Sequence, residues 1–157
     1  MRRSSLGMVL VALAAIGWTD AAKADAARGF GDWFVACEGK LCAATHETDL
    51  VEIEVLFEAG KDPRILFHVA REARRGDPIA VRLADGEHAH LKINDCSDRH
   101  CTGEAAYNKL SPETIEEIRR SKGALIAYLV QGVIVIAPIS FDGYAEASAF
   151  AHEQIGQ

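Results

Sequence analysis

The sequence predicts a mainly β protein, a β-sandwich with two short helices, and three observations support this fold class. Apolar residues alternate with polar ones, most regularly over 51–57, as in a strand with one buried face. Turns rich in Gly and Asp separate short extended segments. Helix signals occur at only two places in the remainder of the chain. Eight strands are predicted, at 32–37, 41–47, 50–58, 64–70, 79–84, 87–94, 124–130 and 133–139.

The two helices are predicted over 112–122 and 144–155. Ser111 is a favourable N-cap for the first, and Gly123 is a favourable stop. Acidic residues fill its first turns and basic residues its last, which suits the helix dipole. Because this helix contains few apolar residues, we expect it on the surface. The second helix is predicted to be capped near Asp142.

The segments 124–130 and 133–139, joined by Gln131-Gly132, are the most hydrophobic part of the chain beyond its N-terminus. Nearly continuous apolar runs are typical of strands that are buried on both faces. We therefore expect this hairpin to be covered on both sides or to lie in the centre of the sheet.

The N-terminus has the organisation of a secretory signal peptide. Two arginines precede an uncharged apolar stretch over 6–18, and a small-x-small cleavage pattern ends at Ala24. A membrane span needs about 20 apolar residues, so this stretch is too short to be one. We predict a signal peptide at 1–24 and a single β-sandwich domain at 25–157, exported to the periplasm, the outer surface or the medium, with no integral membrane span after cleavage.

The charge balance restricts the classes of partner. The chain contains 17 Lys and Arg against 23 Asp and Glu, a formal net charge of −6. Such an acidic protein repels phosphate groups. We therefore expect neither nucleic acid nor an anionic lipid surface to be the main partner.

The four cysteines form two pairs with the same C-x4-C spacing, Cys37 with Cys42 and Cys96 with Cys101. In an exported chain an even number of cysteines indicates disulfides. Four cysteines allow three connectivities, and we favour the local one because Cys37 and Cys42 flank a predicted hairpin turn. A zinc site or a redox-active pair usually has C-x2-C spacing, which neither pair has.

Candidate chemistry is sparse in the sequence. His88 and His90 would lie on one face of a strand and could bind zinc or copper, but no third ligand is evident nearby, so two exposed polar residues on an edge strand are the simpler interpretation. Ser140 lacks the surroundings of a hydrolase nucleophile, and His100 lies inside a predicted disulfide loop. We predict a protein without enzymatic activity or cofactor, with a metal-binding module at His88 and His90 as the alternative.

An ordered set of motifs extends over most of the chain after the signal peptide. In order they are Gly31-Asp32-Trp33, Cys37, Cys42-Ala43, Ile93-x-x-Cys96, Cys101, a helix, and a hairpin ending in Ile139-Ser140-Phe141-Asp142-Gly143-Tyr144, with Ala147 beyond. This set resembles the invasion-associated locus B family of exported bacterial proteins. The chain departs from the family pattern at 72–79, at Ile93, where Phe is usual, and at His100, where Gly is usual.

The resemblance implies an immunoglobulin-like β-sandwich in the periplasm or at the outer surface. It supplies no catalytic residues to transfer, because no enzymatic activity is established for the family. The family is named for a role in host-cell entry, and that role is not carried over here. From the disulfide-linked sandwich, the acidic surface and the missing catalytic set, we predict a module that binds an envelope component or a host protein.

Overall fold

The computed structural model describes residues 26–83, 86 and 88–156, without the side chain of His88. Residues 1–24, the predicted signal peptide, lie outside them. The described strands are β1 (Ala26–Phe30), β2 (Trp33–Glu38), β3 (Leu41–Glu47), β4 (Glu52–Glu58), β5 (Arg64–Ala70), β6 (Pro78–Leu83), β7 (His88–Cys96), β8 (His100–Ala106), β9 (Gly123–Val130) and β10 (Val133–Ser140). The helices are α1 (Pro112–Arg120), which follows a short 3-10 turn at Tyr107–Lys109, and α2 (Tyr144–Ile155).

These strands form one antiparallel sheet in the order β1-β2-β3-β4-β5-β8-β7-β6-β9-β10. Strand β7 joins its two parts, because residues 88–92 pair with β6 whereas Ile93, Asp95 and Cys96 pair with β8. A register shift between Ile93 and Asp95 marks the change of partner, and such irregularities bend a strand. The sheet curls into an open half-barrel.

The predicted mainly β class is confirmed, but the immunoglobulin-like sandwich is not. A sandwich of that type has two separate sheets packed face to face, whereas pairing in the described residues is continuous from β1 to β10. The difference comes from β7, whose two halves have different neighbours. The periodicity of a sequence predicts which face of a strand is buried, but it does not predict which strands are its neighbours. The change of partner along β7 therefore could not be predicted from the sequence.

Both predicted helices form. Ser111 caps α1 by accepting a hydrogen bond from the backbone N–H of Thr114 at 3.1 Å, and α1 ends at Arg120, two residues before the predicted end, because Ser121 closes it. Helix α2 has the predicted limits, and Gly143 rather than Asp142 is its N-cap. No helix in the described part of the chain is long and apolar enough to cross a membrane.

The core lies on the concave face of the sheet. Alternation in β4 places Ile53, Val55 and Phe57 in it, each at most 2% exposed. Helix α2 closes the first half of the sheet by packing on β1, β2, β3 and β4. Its small residues Ala147 and Ala151 are fully buried, which lets the helix backbone approach the strands closely.

The first and last sequence motifs meet in space. The N–H of Asp32 donates to the carbonyl of Asp142 at 3.1 Å, and the indole N–H of Trp33 donates to the carbonyl of Ser140 at 3.0 Å. The rings of Trp33 and Tyr144 lie 4.8 Å apart. These motifs therefore tie the N-terminal hairpin to the end of β10 and the start of α2.

Candidate binding surface

The outer face of the β9–β10 hairpin is apolar. Its cross-strand neighbours are Leu129 with Ile134, Ala127 with Ile136, and Leu125 with Pro138, and these six residues are called the hairpin face below. Ile134 is 66% exposed, Ile136 57% and Leu125 41%. Contiguous apolar patches on a protein surface commonly mark interaction sites.

The exposure of this hairpin contradicts the prediction that it is buried on both faces or central. Only one face reaches the core, through Ile126, Tyr128, Ala137 and Ile139. Strand β10 is the last strand of the sheet, and the hairpin face is turned away from the core. An apolar run that serves an interface has the same composition as one that is buried, so the sequence could not distinguish them.

The free edge of β10 is open over only part of its length. Gln131 and Gly132 have φ angles of 51° and 85°, as in a type I′ turn, so the pair Val130 and Val133 exchanges hydrogen bonds. Bonded and non-bonded pairs then alternate along the ladder. The N–H and C=O groups of Ile134 and Ile136 consequently point away from β9, toward the free edge.

The far end of this edge is already occupied. The outward N–H of Ser140 donates to Nε2 of His46 at 3.2 Å, and the carbonyl of Ser140 accepts from Trp33. Because a backbone N–H can only donate, Nε2 is the acceptor in His46, and Nδ1 donates to the carbonyl of Asp32 at 2.9 Å. His46 is thus a buried ring that occupies the end of this strand edge. Pro138 has no N–H to offer.

Two cationic side chains lie on the strands beyond the hairpin face, one on the adjacent β6 and one on β7. On β6, Arg82 pairs with Leu125 of β9 and is exposed. On β7, Lys92 is exposed and pairs with Pro78 of β6. Arg82 and Lys92 are called the cationic rim below.

Of the two residues of the metal-binding alternative, only His90 has a described side chain, and it lies on the same outer surface. His90 is exposed and pairs with Ala80, and the side chain of His88 lies outside what the structure describes. Among the described residues no group of three or more His, Cys, Asp or Glu side chains is placed to hold a metal ion.

A polar cluster that the sequence did not indicate joins three strands. His68 Nε2 lies 3.3 Å from a carboxylate oxygen of Glu54, and Nδ1 lies 3.0 Å from the hydroxyl of Thr102. The ring of His100 is 4.3 Å from that of His68. A carboxylate, an imidazole and a hydroxyl in this order could activate a nucleophile. However, β8 pairs with β5 and β7 on both sides of Thr102, so neighbouring backbone N–H groups are not available for an oxyanion.

An apolar cavity of about 50 Å³ lies inside the half-barrel. Leu91 and Ala105 line it from the sheet, and Leu110 and Ile118 from the region of α1. An engineered cavity that binds benzene measures about 150 Å³. The space in this protein is much smaller, and we interpret it as imperfect packing under α1.

Each of the two disulfides joins a pair of cysteines that lie directly opposite each other on the two strands of a hairpin. Cys37 is bonded to Cys42 across β2 and β3, and Cys96 to Cys101 across β7 and β8. This is the local pairing that the sequence favoured. Cys37, Cys42 and Cys101 are buried, whereas Cys96 is exposed.

We expect dithiothreitol to open Cys96–Cys101 several-fold faster than Cys37–Cys42. Thiol–disulfide exchange requires a thiolate to reach a sulfur atom of the disulfide. Of the two disulfides, only Cys96–Cys101 contains an exposed cysteine. Timed reduction of the native protein, alkylation and peptide mass mapping would measure the two rates. Equal rates, or earlier opening of Cys37–Cys42, would contradict this prediction.

The half-barrel has a counterpart among solved structures. The crystal structure of invasion associated protein B from Bartonella henselae superposes with a TM-score of 0.71, over 84% of this chain and 99% of that one. The two proteins share a fold. Their sequences are 13% identical, so the likeness with invasion associated protein B concerns the fold alone. No family model matches this sequence, and no curated protein matches it.

The comparison agrees with the family suggested by the sequence motifs, at the level of fold. The motifs that suggested it, around Trp33 and Tyr144, lie in the packed junction between the two ends of the chain. These residues hold the two ends of this chain together, and the hairpin face has to be judged on its own chemistry.

Proposed function

We propose that this protein is an exported, non-enzymatic component of the bacterial envelope that binds a protein partner through the hairpin face. The observation on which the proposal rests is the exposed apolar outer surface of β9 and β10. Residues 123–140 contain no charged side chain. The depletion of charge and the exposure of large apolar side chains are features of the centre of a protein interface.

The surroundings of the hairpin face specify the chemistry of the partner. The cationic rim, Arg82 and Lys92, lies on the strands beyond this apolar centre, whereas the whole chain carries a net charge of −6. A partner with an apolar patch bordered by carboxylates would match the apolar centre and the cationic rim, because complementary rims favour association and discourage incorrect partners. We therefore propose an acidic, apolar protein surface as the occupant.

Export is supported by two independent features. The N-terminus has the pattern of a cleaved signal peptide, and both cysteine pairs are at bonding distance. Disulfides persist in oxidising compartments such as the periplasm and the cell surface. We propose that the protein functions in one of these compartments.

A binding role is also favoured over hydrolysis. The Glu54–His68–Thr102 cluster is the strongest catalytic candidate in the described residues, and Thr102 lies in the middle of the sheet. Because its neighbouring backbone groups are engaged in strand pairing, a transition-state oxyanion would have no donor beside the hydroxyl. We propose that this cluster satisfies partly buried polar groups.

Site-specific photo-crosslinking tests the proposed surface. A benzophenone side chain at position 125 should crosslink in cells to one envelope protein, and the same group at position 41 should not. Leu41 is a matched control for Leu125, since the two residues are 42% and 41% exposed and lie on different strands. Equal labelling from both positions, or no labelling from 125, would refute the proposed surface.

With the crosslinked partner purified, Leu125→Lys should weaken binding by about tenfold or more, as expected for an apolar contact near the centre of an interface. Leu41→Lys should leave affinity unchanged. Arg82→Glu should also weaken binding if the partner's rim is acidic. An unchanged affinity for Leu125→Lys would show that the partner uses another surface.

A further inference from the structure

We propose that two copies of this chain associate through the open part of the β10 edge, forming an antiparallel pair around a two-fold axis. This interaction uses the edge of the strand, whereas the partner proposed above uses its face. The argument begins from the pattern of free backbone groups on β10 and does not depend on that proposed function.

The β10 edge has the usual protection of an outer strand only at its far end, at Pro138 and Ser140. Natural sheets block their edges with charged side chains, prolines, bulges or a covering element. At the opposite edge of this sheet β1 contains Arg28, and α2 packs against that strand. Strand β10 carries no charge, and the groups at Ile134 and Ile136 are open. Two copies can therefore approach here without opposing like charges.

The free groups are self-complementary in one register. If Ile134 of one copy lies opposite Ile136 of the second copy, the N–H and C=O groups of both residues are used by the hydrogen bonds of the ladder. The two-fold axis then passes between the two copies of Val135, as a closed dimer requires. Their Ile side chains become cross-strand neighbours, which stabilises a pair of strands.

Pro138 and Ser140 exclude the competing register. A shift by two residues would put Pro138 opposite Ile134 of the second copy, where the ring would replace an N–H donor and obstruct the strand. At Ser140 both outward groups already have partners, His46 and Trp33. The edge is therefore open for a short, centred pairing around Val135 and closed beyond it.

Sedimentation velocity of the full mature protein in a dilution series tests the association. We expect a reversible monomer–dimer equilibrium, with the dimer dissociation constant raised about tenfold or more by Ile136→Lys, since an edge lysine blocks strand pairing. Phe34→Lys is the matched control, because Phe34 is 50% and Ile136 57% exposed and Phe34 lies on β2. A protein that stays monomeric at every concentration would overturn the proposal.

Two further variants test the edge and the register. The N–H of Ile136 points outward, so Ile136→Pro should abolish the dimer while circular dichroism shows an intact fold. Val135→Cys should form an intermolecular disulfide with itself, because antiparallel non-bonded partners lie close together, and Leu125→Cys should not. A dimer that persists in Ile136→Pro, or that fails to crosslink through Val135→Cys, would refute this interface.

The outcomes separate the two proposals. Photo-crosslinking from position 125 to a different protein, in a chain that sediments as a monomer, would retain the binding function and reject the dimer. A dimer in a chain that crosslinks to no other protein would retain the dimer and reject the binding function.

Discussion

Replacing Trp33 with alanine is expected to lower the free energy of unfolding by about 3–5 kcal/mol, the usual cost of removing a buried aromatic side chain. Trp33 is 2% exposed and its ring stacks with His46 at 5.5 Å. The indole N–H also donates to Ser140, so the change leaves a carbonyl without its partner. A typical domain has only about 5–15 kcal/mol of stability, and the variant should be close to unfolding.

Urea denaturation followed by fluorescence and circular dichroism would measure this loss. Phe34→Ala is the matched control, because the neighbouring Phe34 is 50% exposed and its truncation should cost less than about 1 kcal/mol. Comparable losses in the two variants would mean that Trp33 does not connect the ends of the chain as described. Trp33→Phe should give an intermediate value, since it keeps the packing and removes the donor.

Gly143→Ala is expected to destabilise the protein by about 3 kcal/mol or more. Gly143 has a φ of 82°, where an L-residue costs about 1–2 kcal/mol. A methyl group at this position would also overlap the carbonyl of Phe30 and lie 2.8 Å from the N–H nitrogen of Gly31. Since these are backbone atoms, the contact between the first turn and the start of α2 would have to open.

Gly60→Ala separates the two contributions. Gly60 has a φ of 76°, and a methyl group there would meet nothing within 4 Å. Gly60→Ala should therefore lower the free energy of unfolding only by the cost of the left-handed backbone conformation, about 1–2 kcal/mol. If thermal or urea unfolding gave the same loss for both variants, the close approach at Gly143 would be incorrect.

Local signals predicted the helices and the last hairpin well. Helix α2 has the predicted limits of 144–155, and Gln131-Gly132 forms the predicted tight turn. Ser111 caps α1 as expected. In each case the information lies within a few consecutive residues, because caps and turns depend on short-range backbone geometry.

Strands β1 and β8 were missed because their apolar contacts come from elsewhere in the chain. At Gly103 in β8, the space above the backbone is filled by Ile79 and Leu91, whose methyl carbons would lie 2.7 and 2.8 Å from an added Cβ. Such a strand shows no alternation of its own. Strand β1 is a short edge strand that contains glycine and arginine.

The candidate binding surface could not be located from the sequence without knowing the order of the strands in the sheet. Composition identified 124–139 as apolar, but which strand is outermost depends on long-range pairing of β6 with β9. The Glu54–His68–Thr102 cluster was hidden for the same reason, because its members are brought together only by the order β4-β5-β8. The pairing of the cysteines could be predicted from short segments of sequence, since each disulfide closes a hairpin.

Because α2 packs on the first four strands, the polypeptide cannot complete its core until its last residues have been synthesised. The early hairpins can form from neighbouring segments, but the side chains of Cys42 and Phe57 remain uncovered until Ala151 and His152 arrive to meet them. A nascent chain of this design stays incompletely folded throughout translation. If the chain is exported as proposed above, that delay keeps it able to pass through a narrow translocation channel before it folds.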